Sequence, residues 1–193
     1  MKYMALLFLS IILLFHLSCD LDGSDLGLDH ISEEDANVQN FDLITPGYEM
    51  QVAISEDVDG DTQDILDVLD ERAAVFLECQ FMMGPEIGAE PFQIESGEIV
   101  PPLSELRVYV VPFNFECDAE DKDICAGIYF FDSDLIVIAV EGLGRCGQLP
   151  LWKHELGHRY GMTANHSNQS EFEPCIDPPE CAFDHFEDVG IGG

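Results

Sequence analysis

His154 and His158 stand four residues apart, with Glu155 directly after the first, in a stretch bounded by Pro150 and Gly161. Pro150 suits the first turn of a helix and Gly161 its stop, so a helix is expected from Pro150 to about Tyr160. Positions four apart share a helix face, so both imidazoles can present a nitrogen to one point. No other feature constrains the fold as tightly, because the rest of the chain must bury this helix and bring further donors to the same point. His-Glu-x-x-His on a helix is zinc chemistry: the two imidazoles bind the metal, and Glu155 reaches the water it activates. Glu155 would take the water's proton and deliver it to a leaving amine. Two unconnected histidines on a surface helix are the bland alternative. The scarcity of histidine, six in the chain, weighs against that, as do the strand candidates and Gly-rich loop before the motif.

The rest of the pattern describes one domain. Residues 20 to about 45 are rich in Asp, Glu, Gly, Ser and Asn and read as an acidic tether, leaving 46–193 as the domain. From Asp61, the residues Ile65, Val68, Leu69, Ala73, Phe76 and Leu77 recur at three- and four-residue spacing. They predict an amphipathic helix capped by Asp61 or Thr62 and ending before Gly84-Pro85. Residues 85 to 104 read as loop with a short strand near Phe92 to Ile94. Arg107 to Phe113 is a strand candidate that stops at Pro112 or lies at an edge. Gly127–Phe131 and Leu135–Val140 are further strands, with a turn or bulge at Asp132-Ser133-Asp134. Gly142, Gly144 and Gly147 mark a loop before the His154 helix, and the C-terminal region reads as irregular. The order strand, helix, strands, helix predicts an α/β or α+β domain. Trp152 and Leu151 are expected in the core, and Tyr160 is expected to pack.

Met1 to Phe15 is one lysine followed by a continuous apolar run, the layout of a secretory signal over residues 1–18 and too short to span a bilayer. Ser18-Cys19 after that run resembles the bacterial lipoprotein signal, in which the cysteine is lipidated. His16 departs from the leucine which that family prefers, and Asp20 resembles its inner-membrane retention signal. Membrane association is expected only through this anchor on Cys19. Six cysteines remain, an even number that in an exported chain predicts disulfides. Proximity favours Cys117–Cys125 and Cys175–Cys181, leaving Cys79–Cys146. Seven Lys plus Arg against thirty-nine Asp plus Glu give a formal charge of -32, which excludes a nucleic-acid footprint. Asp118, Glu120, Asp121 and Asp123 offer a weak calcium option, with a solvated acidic loop between two cysteines as the default reading.

His154 through Gly161 reads HELGHRYG, which resembles the metzincin metalloproteases and their HExxHxxG motif. The resemblance implies a zincin-like catalytic domain with a small twisted sheet, one zinc ion and a peptide or protein substrate. It implies that Gly161 turns the chain sharply toward a third His ligand. It also implies that an edge strand, here within Gly127 to Val140, pairs with extended substrate. The family's third His falls at Ala164; His166 is the nearest candidate here, and His185 is an alternative. Glu180 or Glu187 would serve a Glu-ligand site. Phe183, in the stretch Cys181 to Phe186, stands where the family's Met-containing turn has its methionine. The activity so implied is that of a zinc endopeptidase with Glu155 as general base; the export signal puts it outside the cytoplasm, and a monomer is expected. Another zinc amidase or hydrolase using the same glutamate is the first alternative. A catalytically inactive binding lipoprotein is the second, and it has no need of Glu155.

Overall fold

The computed structural model describes residues 28–81, 92–93, 97, 99–119, 122–143 and 151–176. In chain order these form α1 (Glu33–Asn37), β1 (Leu43–Ile44), β2 (Gln51–Ile54), α2 (Thr62–Phe81), β3 (Phe92–Gln93) and β4 (Ile99–Val100). There follow β5 (Arg107–Val111), β6 (Phe115–Ala119), β7 (Lys122–Cys125), β8 (Gly127–Phe130), β9 (Leu135–Ala139), α3 (Leu151–Arg159) and α4 (Gln169–Ile176). The class is mixed α+β, and no helix among the described residues is long and apolar enough to cross a membrane.

Five strands make one sheet in the order β1-β2-β5-β9-β8. β2, β5 and β9 run parallel, while β1 and β8 are antiparallel to their neighbours. The run Leu135–Ala139 is buried at every position, as expected of a strand covered on both faces. Its side chains alternate, and so do those of β5. Val108, Val110, Ile136 and Ile138 join a core with α2, α3 and α4, whereas Val111, Leu135, Val137 and Ala139 face a second core. β5 stops before Pro112 and sits in the middle of the sheet, so the proline ends the strand and does not mark an edge.

The second face is covered by a segment expected to be tether. Ile31 and Ala36 are buried against Val111, Phe115 and Cys117. Ile31 N donates to Glu116 O at 3.0 Å, and Glu116 N donates to Asp29 O at 3.0 Å. A capping box between Ser32 and Asp35 starts α1, satisfying two helix-end donors at once. Arg107 Nη2 donates to Asn37 Oδ1 at 2.7 Å, and its guanidinium lies over the Phe41 ring. Residues 29–45 are therefore part of the folded unit: Ile31, Ala36 and Phe41 cover the sheet's outer face, while Leu43 packs against the other core and Val38 and Ile44 are exposed. On either side of residues 120–121, the stretch expected as a solvated loop between Cys117 and Cys125 forms the antiparallel strands β6 and β7, and a disulfide joins those two cysteines.

α2 follows its pattern: Ile65, Val68, Leu69, Ala73, Phe76 and Leu77 are all buried. Full burial of a side chain such as Phe76 or Leu69 stabilises the fold by about 1.5–3 kcal/mol each. Asp61 Oδ1 accepts from Gln63 N at 2.8 Å, which makes Asp61 the cap. Asp70, an acid on the buried side, accepts hydrogen bonds from the Gly47 and Tyr48 amides and ties α2 to the turn before β2. Trp152 Nε1 donates to Leu69 O at 3.1 Å and pins α3 onto α2. Tyr160 is buried with its ring against Phe76 and Phe81, as expected of a packing residue.

The region after Gly161 is not irregular throughout. Phe172, Cys175 and Ile176 make the buried face of α4, and Cys175 is joined to Cys79 on α2 by a disulfide spanning 96 residues. This pairing overturns both Cys79–Cys146 and Cys175–Cys181, since proximity along the chain did not anticipate that α4 would fold back onto α2; Cys146 and Cys181 lie outside the described residues. The closed loop is long, so replacing Cys79 and Cys175 by Ser together is expected to cost about 2–5 kcal/mol. A lowered urea midpoint would show it, with a slope equal or steeper because the freed unfolded chain exposes more surface. An unchanged midpoint would mean that apolar packing alone seats α4.

Candidate metal centre

α3 ends in a Schellman motif, and that ending aims the site. Met162 N donates to Gly157 O at 2.8 Å and Gly161 N donates to His158 O at 3.2 Å, the two bonds that close such a helix end. Gly161 takes φ 110°, a conformation that any side chain would strain. A Cβ on Gly157 would lie 3.2 Å from Met162 Cε. The thioether therefore occupies the space that a glycine in mid-helix leaves free. The chain turns back at once, and Met162 O accepts a hydrogen bond from His158 Nδ1 at 3.1 Å. A carbonyl can only accept, so Nδ1 carries the proton and Nε2 presents its lone pair. His158 is buried, and burial, opposed by the Met162 bond and assisted by His166, holds its pKa below the usual histidine value. Its neutral form, the one that ligates metals, is favoured.

Three imidazoles then meet. His154 Nε2 lies 3.2 Å from His158 Nε2 and 3.1 Å from His166 Nε2. The ring centroids of the three pairs are 4.9, 5.0 and 4.9 Å apart. His166 comes from the loop between α3 and α4 and has φ 57°. A tetrahedral ion with bonds of 2.0–2.1 Å would separate its nitrogen ligands by roughly 3.3 Å, close to the observed spacing. One proton can bridge a single pair of ring nitrogens, whereas here one nitrogen faces two others. A cation satisfies all three lone pairs at once, so this group can hold a metal ion.

Glu155 is buried beside His154. Its carboxylate lies over the first residue of β8: a Cβ on Gly127 would stand 2.9 Å from Glu155 Oε1. The glycine thus makes room for the acid. Among the described residues β8 is the edge of the sheet next to α3, while β9, the last described strand before the helix, is interior. The exposed ring of Phe131 follows β8, 4.7 Å from the Tyr129 ring and 6.5 Å from that of His158.

Two functional neighbours had no clear sequence signal. Met162, which sets the His158 tautomer, is visible only as an apolar residue after a helix-ending glycine. Arg159 lies between His158 and Tyr160, and its fork grips Asp134 through Nε to Oδ1 and Nη2 to Oδ2, both 2.8 Å. Asp134 occupies the β8–β9 turn at φ 46° and also accepts from Tyr129 Oη at 3.0 Å. Burial opposes the Arg159 charge, but the Asp134 bonds and charge outweigh it and hold the guanidinium above its ordinary pKa. His185, Glu180, Glu187 and Phe183 lie outside the described residues, as do Glu120 and Asp121 and the side chains of Asp118 and Asp123 on which the calcium option rests.

Comparison of the chain with protein families, with curated proteins and with solved structures finds no match to any of them.

Proposed function

We propose that this chain is a zinc-dependent endopeptidase of metzincin-like design that hydrolyses peptide bonds outside the cytoplasm. His154, His158 and His166 would hold the ion and Glu155 would act as general base. The convergence of three imidazole Nε2 atoms on one point, beside a buried glutamate, carries the reading. The donor set suits zinc, which accepts three neutral imidazoles and leaves a position open. When bound, zinc supplies a Lewis acid that activates water and polarises a carbonyl near neutral pH.

The chain's own residues do the rest. Met162 O keeps His158 in one tautomer, and the Schellman turn returns the chain toward the third imidazole. Glu155, held against Gly127, accepts a proton from the attacking water and passes it to the leaving amine. The edge of β8 would take up an extended peptide through backbone hydrogen bonds, a pairing that needs no particular side chain. Export fits the disulfides Cys79–Cys175 and Cys117–Cys125, which persist in oxidising compartments. A lipid on Cys19 would then hold the domain at the cell envelope.

The test is zinc content and hydrolysis measured on the same preparation. The expected result is one zinc per chain and cleavage of an unfolded protein that stops on chelation and returns with zinc. Full zinc occupancy without cleavage of any unfolded protein would sink the peptidase reading, and cleavage of simple N-acyl amides alone would move it to a zinc amidase.

A further inference from the structure

The third imidazole is the least anchored of the three. It stands on the polar stretch Thr163–Asn168, outside any helix or strand, with its backbone in left-handed space at φ 57°. Apolar packing does not fix this stretch, since Thr163, Ala164, Asn165 and Ser167 are exposed and Asn168 is half-buried. Hydrogen bonds do. Asn168 Oδ1 accepts from Thr163 N at 2.9 Å and lies 3.1 Å from Thr163 Oγ1, while Asn168 Nδ2 donates to Gly161 O at 3.0 Å. Thr163 Oγ1 accepts from Ser167 N at 3.0 Å, and His166 N donates to Thr163 O at 2.8 Å. One amide side chain thus closes the loop from the end of α3 to the start of α4, and one hydroxyl fills its centre.

We infer that Asn168 and Thr163 form a positioning clamp that holds His166 in place as a ligand and so sets the metal affinity of the site. The inference rests on the reading of the three imidazoles as a metal centre. Neither residue touches the point where the nitrogens meet. Each acts through the backbone that carries His166, and ligands so oriented bind metal more tightly than free ones. The clamp also accounts for the spacing: it takes up in a compact turn the two positions by which His166 follows Ala164, so the ring of His166 still meets His154.

The test is a double-mutant cycle read by zinc affinity in chelator competition. Asn168→Ala is expected to weaken zinc binding about 10–100-fold, and to add nothing when His166 is already Ala, because the clamp acts only through that imidazole. Thr163→Val should behave like Asn168→Ala, while Thr163→Ser, which keeps the hydroxyl, should restore near-native affinity. The melting midpoint of each zinc-free variant separates a loss of fold from a loss of aim. Equal weakening with and without His166, or no weakening at all, overturns the clamp. If His166→Ala leaves zinc affinity unchanged, the third ligand and the clamp fall together. A complete cycle in a protein that cleaves nothing would leave the clamp standing and remove only the peptidase reading.

Discussion

Glu155→Gln is expected to lower peptide hydrolysis by about 10²–10⁴-fold, the range for losing a general base, with zinc content unchanged. Gln keeps the shape and most hydrogen-bonding capacity of the side chain but cannot take up a proton at neutral pH. Steady-state kinetics should show the loss in kcat, with a smaller change in KM, because the residue acts on the reacting water more than on substrate binding. Gly127→Ala provides an independent check. The new Cβ would meet Glu155 Oε1 at 2.9 Å, so the carboxylate must move although its charge and the imidazoles are untouched. Activity should fall with zinc retained, by less than in Glu155→Gln. If Glu155→Gln cleaves as fast as the native chain, this glutamate is not the base. If both variants lose zinc, the carboxylate supports the ion rather than the reaction.

The second large effect is on stability and lies one residue past His158. The Arg159 side chain is 1% exposed and that of Asp134 is 22% exposed, so removing the acid leaves a buried cation without its main partner. Asp134→Ala is expected to cost about 3–5 kcal/mol, read from chemical unfolding. Roughly 1 kcal/mol of that belongs to the backbone, because alanine is forced into left-handed space at φ 46°. Asp134→Asn tolerates that conformation and keeps an acceptor, so the difference between the two variants separates charge from strain. Removing both partners, as in Arg159→Met with Asp134→Asn, should cost less than Asp134→Ala alone. A strictly additive double variant would mean that the pair contributes through its separate contacts with Pro101 O, Pro102 O and Tyr129.

Much of the scaffold was legible in the sequence where its cause is local. The α2 stripe follows from spacing within single turns, and β5, β8 and β9 follow from short apolar and β-branched runs. Two segments depart from their local pattern for one cause. The residues of α4 form a short, acidic helix with Pro174 inside it, too weak to declare itself without its disulfide partner on α2. The acidic segment 29–45 carries few apolar residues, and their value depends on the outer face of a sheet that is distant in the chain. In both cases a nonlocal surface supplies the stability that local pattern lacks.

The candidate site divides along the same line. By itself the sequence determined that His154 and His158 share a helix face with Glu155 next to them, because a 3.6-residue repeat acts within one turn and needs no distant contact. It also determined the acid excess, seven Lys plus Arg against thirty-nine Asp plus Glu. Only the tertiary structure decided that His166 meets the other two imidazoles, that Met162 O orients His158, that Gly127 makes room for Glu155, and that Cys79 pairs with Cys175. Each of these joins groups whose separation depends on how the chain returns after a turn. That return is set by a Schellman cap, a polar loop and packing against α2, terms that sequence spacing cannot sum.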